Sequence, residues 1–504
     1  MYKLTFTLKQ HTPIIHFQTD VKGATIRPTE FKSKLDRFLI GKWTNCYGLK
    51  ETRLSEMERH TEYKYFLKNG YDFDDPQKPN PQAPALDYKV DVKVLPLEFD
   101  NDFDYLNPTD KQTIIHDMEI RHKEDGTLDY QIKHGAKVPD LRKPGEFKIK
   151  TTSFPPFFGN MGDGGGAKKL LFHRKIEVTV KSTNKLLLDE IKENLLSFLF
   201  YNNFGTRQGK GFGSYFLDKG SFTLNEFNDL LADKKSIFYF DIEIKNYTKE
   251  FFIQRELFRK INLFYGFTRS GINDGWVYSK SILWHYVRDK YQNQWDKRSY
   301  KNHFHNSQLT AQTRKHGLTV GNPDFPLTYD KSKTPASLDF MWRDLLGLSS
   351  DQQWKSDDYE FGGGYTFNLL KGLITNGQLD FWRFKSPFHF KPLRVSKNKF
   401  RVYVMLMPQF QVKGNHDNFP EREIYGKTFD IQGEGRKKGQ PSINHPIPPF
   451  QMKFPELGFD YIDFIKFIYN TNVMKYIVKG ENEDTKAIEA IFSQLNAQNP
   501  YQLL

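Results

Sequence analysis

A single cysteine, Cys46, stands among 504 residues. One thiol can form no intrachain disulfide and no cysteine-rich zinc site, which fits a reducing compartment. No run of about 18 apolar residues occurs, so nothing reads as a membrane span. The amino-terminal MYKLTFTLKQ alternates and lacks the apolar stretch of a signal peptide. A soluble, cytoplasmic protein is expected. Negative charge is in deficit, since 61 Asp and Glu face 74 Lys and Arg, a formal net charge of +13. Such a surplus attracts nucleic acid, an anionic membrane surface or an acidic protein, although a solubilising surface charge would look the same. Aromatic residues are plentiful: they make up 16% of the chain, with 46 Phe, enough to build packed cores. The length predicts two to four domains.

Local periodicity organises the chain. Residues 4–8 alternate as a strand, and Pro28 opens a helix whose apolar face is Phe31, Leu35, Phe38 and Leu39. Residues 88–97 alternate again, 114–120 and 128–132 read as a hairpin, and 147–151 could add a strand. The stretch 72–84 reads as a loop, as does the glycine-rich stretch 157–169. A strand at 176–180 precedes an amphipathic helix over 186–201, with Asn184 as its cap. Residues 1–220 thus follow the β-α-β-β-α-β order of a ferredoxin-like module with insertions. A second unit, 235–504, opens with the strand IFYFDIEI at Ile237 and the helix 251–267. A further helix over 276–291, a polar excursion over 292–335, strands at 381–393 and 399–406, a loop over 412–453 and closing helices at 461–478 and 485–495 complete the expectation. The predicted fold class is α+β, with two ferredoxin-like (RRM-like) modules carrying long insertions.

The most informative stretch is Gly205-Thr206-Arg207-Gln208-Gly209-Lys210-Gly211-Phe212-Gly213-Ser214. Its glycines permit positive φ and close backbone approach to a ligand. With Arg207 and Lys210 beside exposed amides it would make an anion cradle for a phosphodiester chain. A glycine-rich turn that merely reverses the chain is the plainer alternative. A dinucleotide fingerprint would need glycine where Ser214 stands, and in a P-loop Lys210 would precede Ser or Thr rather than Gly211. Both of those motifs also open a helix, whereas this loop should follow one. No cofactor is therefore expected.

An amphipathic helix followed by Gly-x-Arg-x-x-Lys-Gly-Phe-Gly-Ser and a strand is similar to the glycine-rich loop of the RAMP (repeat-associated mysterious protein) superfamily of CRISPR-associated proteins. Thr12-Pro13, and then Arg27-Pro28-Thr29-Glu30-Phe31-Lys32, resemble the amino-terminal segment of the first subunit of Cmr-type (type III-B) effector complexes. The resemblance implies two ferredoxin-like modules and a subunit that holds guide RNA near its 3′ end and target RNA, alongside other subunits of a type III effector complex. It brackets residues 4–217, while the second half resembles the family only weakly, at Ser386-Pro387.

The RNA-binding residues expected on this reading are Arg27, Lys32, Lys34, Arg37, Lys168, Lys169, Gly205, Arg207, Gly209, Lys210, Gly211, Phe212 and Gly213. Solvated helix charges are the competing account of Lys32, Lys34 and Arg37. Lys385, Lys391, Arg394, Lys397, Lys399 and Arg401 stud the second-unit hairpin, where Phe384, Phe388 and Phe390 would stack on bases or, more simply, fill the core. His303 and His305 alone make a poor metal site. No catalytic pair is evident. His11 or His16 acting as general base on a ribose 2′-OH would instead make the chain a metal-independent endoribonuclease processing CRISPR guide RNA.

Overall fold

The computed structural model describes residues 1–15, 25–44, 65–67, 85–95, 105–106, 118–122, 128–132, 138–139, 147–148, 170–172, 175–218, 236–245, 250–274, 277–293, 296, 300, 340–349, 351–356, 365–375, 378–380, 385–407, 424–437, 444–456, 459–477 and 483–498. The first sheet comprises β1 (Tyr2–Gln10), β2 (Lys89–Val94), β3 (Lys175–Ser182) and β4 (Tyr215–Leu217). Its order is β4-β1-β3-β2, and every neighbouring pair is antiparallel. Helix α1 (Pro28–Thr44) lies between β1 and β2, and α2 (Lys185–Tyr201) lies between β3 and β4. Pro28 occupies the first helical turn, where its missing N–H costs nothing. The Asn184 side chain accepts the Leu187 N–H at 3.2 Å, as its expected capping role requires. The two helices meet through an edge-on Phe31–Phe198 pair, ring centroids 5.2 Å apart. The expected hairpin near 114–132 forms between Met118–His122 and Leu128–Ile132. The loops expected at 72–84 and 157–169, with Lys168 and Lys169, lie outside the described residues, as do His16, His303 and His305.

A second sheet, β5 (Ile237–Glu243), β8 (Phe388–Ser396) and β9 (Lys399–Leu406), runs in the order β5-β9-β8. Phe238, Phe240 and Ile242 alternate along β5 into the core. Helices α3 (Glu250–Arg269) and α6 (Glu483–Ala497) cover that face, joined by Phe264 and Phe492 at 5.6 Å. Helices α4 (Ile282–Tyr291) and α5 (Tyr461–Asn470) pack alongside. The helix expected from residue 276 starts only at Ile282, where Ser281 caps it; Val277–Ser279 is instead a strand paired with Ile272–Asp274. Phe388 and Phe390 are both core residues, 2% exposed.

Residues 412–453 do not form the expected loop throughout. A third sheet, order β6-β7-β10-β11, contains β6 (Asp351–Ser356), β7 (Tyr365–Thr375), β10 (Thr428–Lys437) and β11 (Asn444–Lys453). Glycines in β10 and Pro446, Pro448 and Pro449 in β11 look like loop punctuation in the sequence. The prolines are tolerated because β11 is an edge strand, where a missing donor can face away from the ladder.

Two hydrophobic cores exchange residues. Ile237, Leu393, Tyr403 and Met405 join the core of the first sheet, while Ile15, Phe172 and Phe212 join the core of the second. Beneath the third sheet lies a buried ionic cluster. Arg343 meets Asp296 at 2.8 Å and Lys371 meets Asp344 at 2.8 Å, all four nearly solvent-free. Removing one partner leaves a buried charge uncompensated. Asp296→Ala is therefore expected to lower unfolding free energy by about 3–5 kcal/mol in chemical denaturation. Among the described residues no helix is long and apolar enough to cross a membrane.

Candidate nucleic-acid interface

The glycine loop does join α2 to β4. The helix ends at Asn202 in extended backbone, Arg207 takes a left-handed conformation (φ 57°), and a single 3-10 turn spans Gln208–Lys210. Six of its amides, however, are committed within the protein. The Gly205 N–H donates to Glu30 Oε1 (2.8 Å), Thr206 to Ile15 O (2.9 Å), Gly213 to Pro13 O (2.8 Å) and Ser214 to Thr12 Oγ1 (2.9 Å). Those of Lys210 and Gly211 close the turn onto Arg207 O and Gln208 O. The expected cradle of exposed amides is thus corrected at these six positions, where the loop's own folding consumes the donors.

The glycines are needed for that folding. Gly213 has φ 65°, and a Cβ there would lie 1.8 Å from Phe204 O, its partner across the hairpin. Gly211, at φ 94°, would put a Cβ 2.9 Å from Pro392 Cγ on β8. Gly205 is similarly enclosed, whereas Gly209 has open space around it. Phe212, expected to touch RNA, is sealed in the core, its ring stacked 3.9 Å from that of Phe258.

Two of the expected helix cations also turn inward. Lys32 donates to Leu86 O at 2.7 Å, pairs with Asp36 at 3.0 Å and sits 3.8 Å from the Tyr88 ring centroid. Lys34 pairs with Glu30 at 3.0 Å and donates to Asn203 O and the Gln208 side chain, bracing the loop at its entry and at its turn. Burial lowers its pKa, against the pull of Glu30. Lys391, expected on the hairpin surface, is fully buried and donates to Asn202 O (2.8 Å) and Tyr215 O (3.0 Å). Burial, helped by the charge of Lys34, holds it well below the usual lysine range.

The remaining cations lie on the loop, at the end of α3 and on the exposed parts of α1 and the chain before β8. Lys210 is partly exposed; burial, then the charges of Arg207 and Arg269, pull its pKa down to about 8. Arg269 ends α3 and was not foreseen from sequence. The ionic cluster holds it, since it donates to Arg343 O (3.0 Å) and Gly347 O (2.7 Å) and approaches Asp344 at 3.4 Å. Exposed Arg37 and Lys385 both act on Lys34, which links them to the loop through Gln208. Arg27 is half-buried one turn before Glu30, and its carbonyl accepts the Phe31 N–H. Cations from both halves of the chain thus act on the loop and its surroundings, Arg207 and Arg269 on Lys210, and Arg37 and Lys385 on Lys34. Such a group of cations suits a polyanion.

Nothing equivalent supports acid–base chemistry at His11. The side chain is fully buried, Nδ1 accepts the Arg394 N–H at 2.8 Å, and burial with neighbouring cations holds its pKa well below the usual histidine value. A base sealed from solvent cannot reach a ribose hydroxyl. Among the described residues no three His, Cys, Asp or Glu converge as a metal site.

No curated protein sequence matches the chain. Among solved structures it is similar to the apo crystal structure of Cmr1 from Pyrococcus furiosus, with 11% identity, 82% of this chain and 92% of that one covered, and a TM-score of 0.31. It is also similar to a chain in the cryo-EM structure of the type III-B Cmr-beta bound to cognate target RNA, with 11% identity, 80% and 94% covered, and a TM-score of 0.28. The family model of the Cmr1 N-terminal domain matches residues 1–272 and that of the Cmr1 C-terminal domain matches residues 278–490. With nearly its whole length matched, and with the RAMP-like motifs at Thr12-Pro13 and Gly205–Ser214 in place, the chain belongs to the Cmr1 family.

Proposed function

We propose that the chain is a non-catalytic RNA-binding subunit of a type III CRISPR effector complex, holding guide RNA near its 3′ end, target RNA, or both. The observation that carries this is the glycine loop that leaves α2 and packs against β8 with Arg207 and Lys210 partly exposed on it, where the charges of Arg207 and Arg269 act on Lys210. Cations on such a loop grip sugar-phosphate without reading bases, and guide pairing supplies the sequence. Membership of the Cmr1 family, matched over both of its domains, supports the place in the assembly. The β4-β1-β3-β2 order supports a ferredoxin-like module over 1–220, and the β5-β9-β8 sheet with its covering helices supports a second over 235–504. Burial of His11 weighs against a guide-processing endoribonuclease.

The test is binding of the purified chain to single-stranded RNA across a salt series, in EDTA. A linear fall of log affinity with log salt, with intact RNA, is expected. A salt-independent affinity, no binding, or defined cleavage would refute the reading.

Lys210 adds a pH signature. Its protonated form binds phosphate, so affinity should fall as pH rises from 7 to 9, through the pKa of about 8. Lys210→Arg should flatten that dependence, because guanidinium keeps its charge throughout. In the free protein the sign reverses. A lysine whose folded pKa lies below its ordinary 10.5 binds fewer protons folded than unfolded, so stability rises with pH between about 8 and 10.5.

A further inference from the structure

Strand β8 forms one edge of the second sheet, and an edge strand leaves alternate N–H and C=O groups without a ladder partner. Along β8 the outward groups include those of residues 390, 392 and 394. Phe390 O accepts from Asn203 Nδ2 (2.8 Å), Pro392 O accepts from Ser214 Oγ (2.7 Å), and the Arg394 N–H donates to His11 Nδ1 (2.8 Å). Proline at 392 brings no N–H that would need a partner.

These three side chains come from two segments of the amino-terminal half that are tied to each other. The His11 N–H donates to Ser214 O (2.8 Å), Thr12 Oγ1 donates to Gly211 O (2.7 Å), and the Ser214 N–H donates to Thr12 Oγ1 (2.9 Å). On the far side, Gln254 Nε2 on α3 donates to His11 O at 3.1 Å. His11, Thr12, Asn203 and Ser214 are all fully buried. Three side chains at every second residue reproduce the hydrogen-bond spacing that a neighbouring strand would offer.

We propose that His11, Asn203 and Ser214 form a clasp that stands in for a strand along β8, locks the two sheets together, and so positions Arg207 and Lys210 against Arg269. The locking rests on the geometry alone, whereas the positioning rests on the RNA reading above. His11 is thus a positioning residue. Its Nδ1 acts as an acceptor, which places the ring proton on Nε2, and burial, reinforced by the cations around the ring, opposes a second proton.

The experiment compares His11→Asn, His11→Leu and Ser214→Ala in the full chain. Asparagine sets an acceptor oxygen near the place of Nδ1, and leucine sets none. Hydrogen exchange at the Arg394 amide, resolved by fragmentation mass spectrometry, is expected to stay slow in the parent and His11→Asn. It should rise about tenfold in His11→Leu. Affinity for a single-stranded RNA probe should weaken about tenfold in His11→Leu and less in His11→Asn. If His11→Leu does not fold, Ser214→Ala, which removes one hydroxyl, should still speed exchange along β8. Parental exchange in His11→Leu, or in Ser214→Ala where His11→Leu does not fold, overturns the clasp. Faster exchange with unchanged RNA affinity overturns the positioning role alone. A parent that binds no RNA overturns the function while the exchange measurement still decides the clasp.

Discussion

Replacing Arg207 and Lys210 together by glutamate is expected to weaken RNA binding by about 100-fold or more while leaving the circular dichroism spectrum unchanged. A hydrogen bond to a charged group contributes about 1.5–3 kcal/mol, and every 1.4 kcal/mol is a factor of ten. Two lost contacts give the lower bound, and the repulsion of two new carboxylates adds to it. Both positions are partly exposed, so the fold should tolerate the change. The salt dependence should flatten in the same variant, because fewer counterions are displaced on binding. Undiminished affinity would remove the loop from the interface. A collapsed spectrum would mean that the two charges support the fold.

Gly213→Ala is expected to lower unfolding free energy by roughly 3 kcal/mol or more, read by chemical denaturation. Two costs combine. An L-residue at φ 65° is strained, and the new Cβ would meet Phe204 O at 1.8 Å, a backbone atom that cannot swing aside. Gly209→Ala provides the contrast: with nothing within 4 Å of its Cβ, it should change stability by about 0.5 kcal/mol or less. The pair separates two roles within one loop. A loss of RNA binding in Gly213→Ala would report a distorted loop, whereas the same loss in Gly209→Ala would report a ligand near the open turn. Equal stability of the two variants would contradict the packing described for Gly213.

The loop shows how a motif can be located correctly and yet assigned partly the wrong work. Its glycines were expected to free amides for a phosphodiester, but at 205, 211 and 213 they let the chain pack against Ile15, Pro392 and Phe204. Lys32 and Lys34 looked like two members of a basic helix face. Both are turned inward, one beneath Tyr88 and one between Glu30 and the loop. Helical spacing says which side chains share a face but not what covers that face. Arg269, by contrast, carried no motif at all, and it reaches the site only because α3 ends beside the ionic cluster around Asp344.

What the sequence by itself determined is what depends on neighbours a few residues away. Apolar spacing along 28–44 and 185–201 produces two amphipathic helices, and alternation produces β1, β3, β5 and β9. Proline and asparagine set helix starts, and glycine density marks the loop that leaves α2. Local motifs were likewise enough to point to the family. Only the tertiary structure decided which donors remain for a ligand, which lysines are buried, and which halves of the chain share a core. Those outcomes depend on partners far away in sequence, as when Lys391 meets Asn202 and Tyr215 or when Arg394 meets His11. Burial and hydrogen-bond satisfaction are properties of such distant pairs, so no local pattern records them.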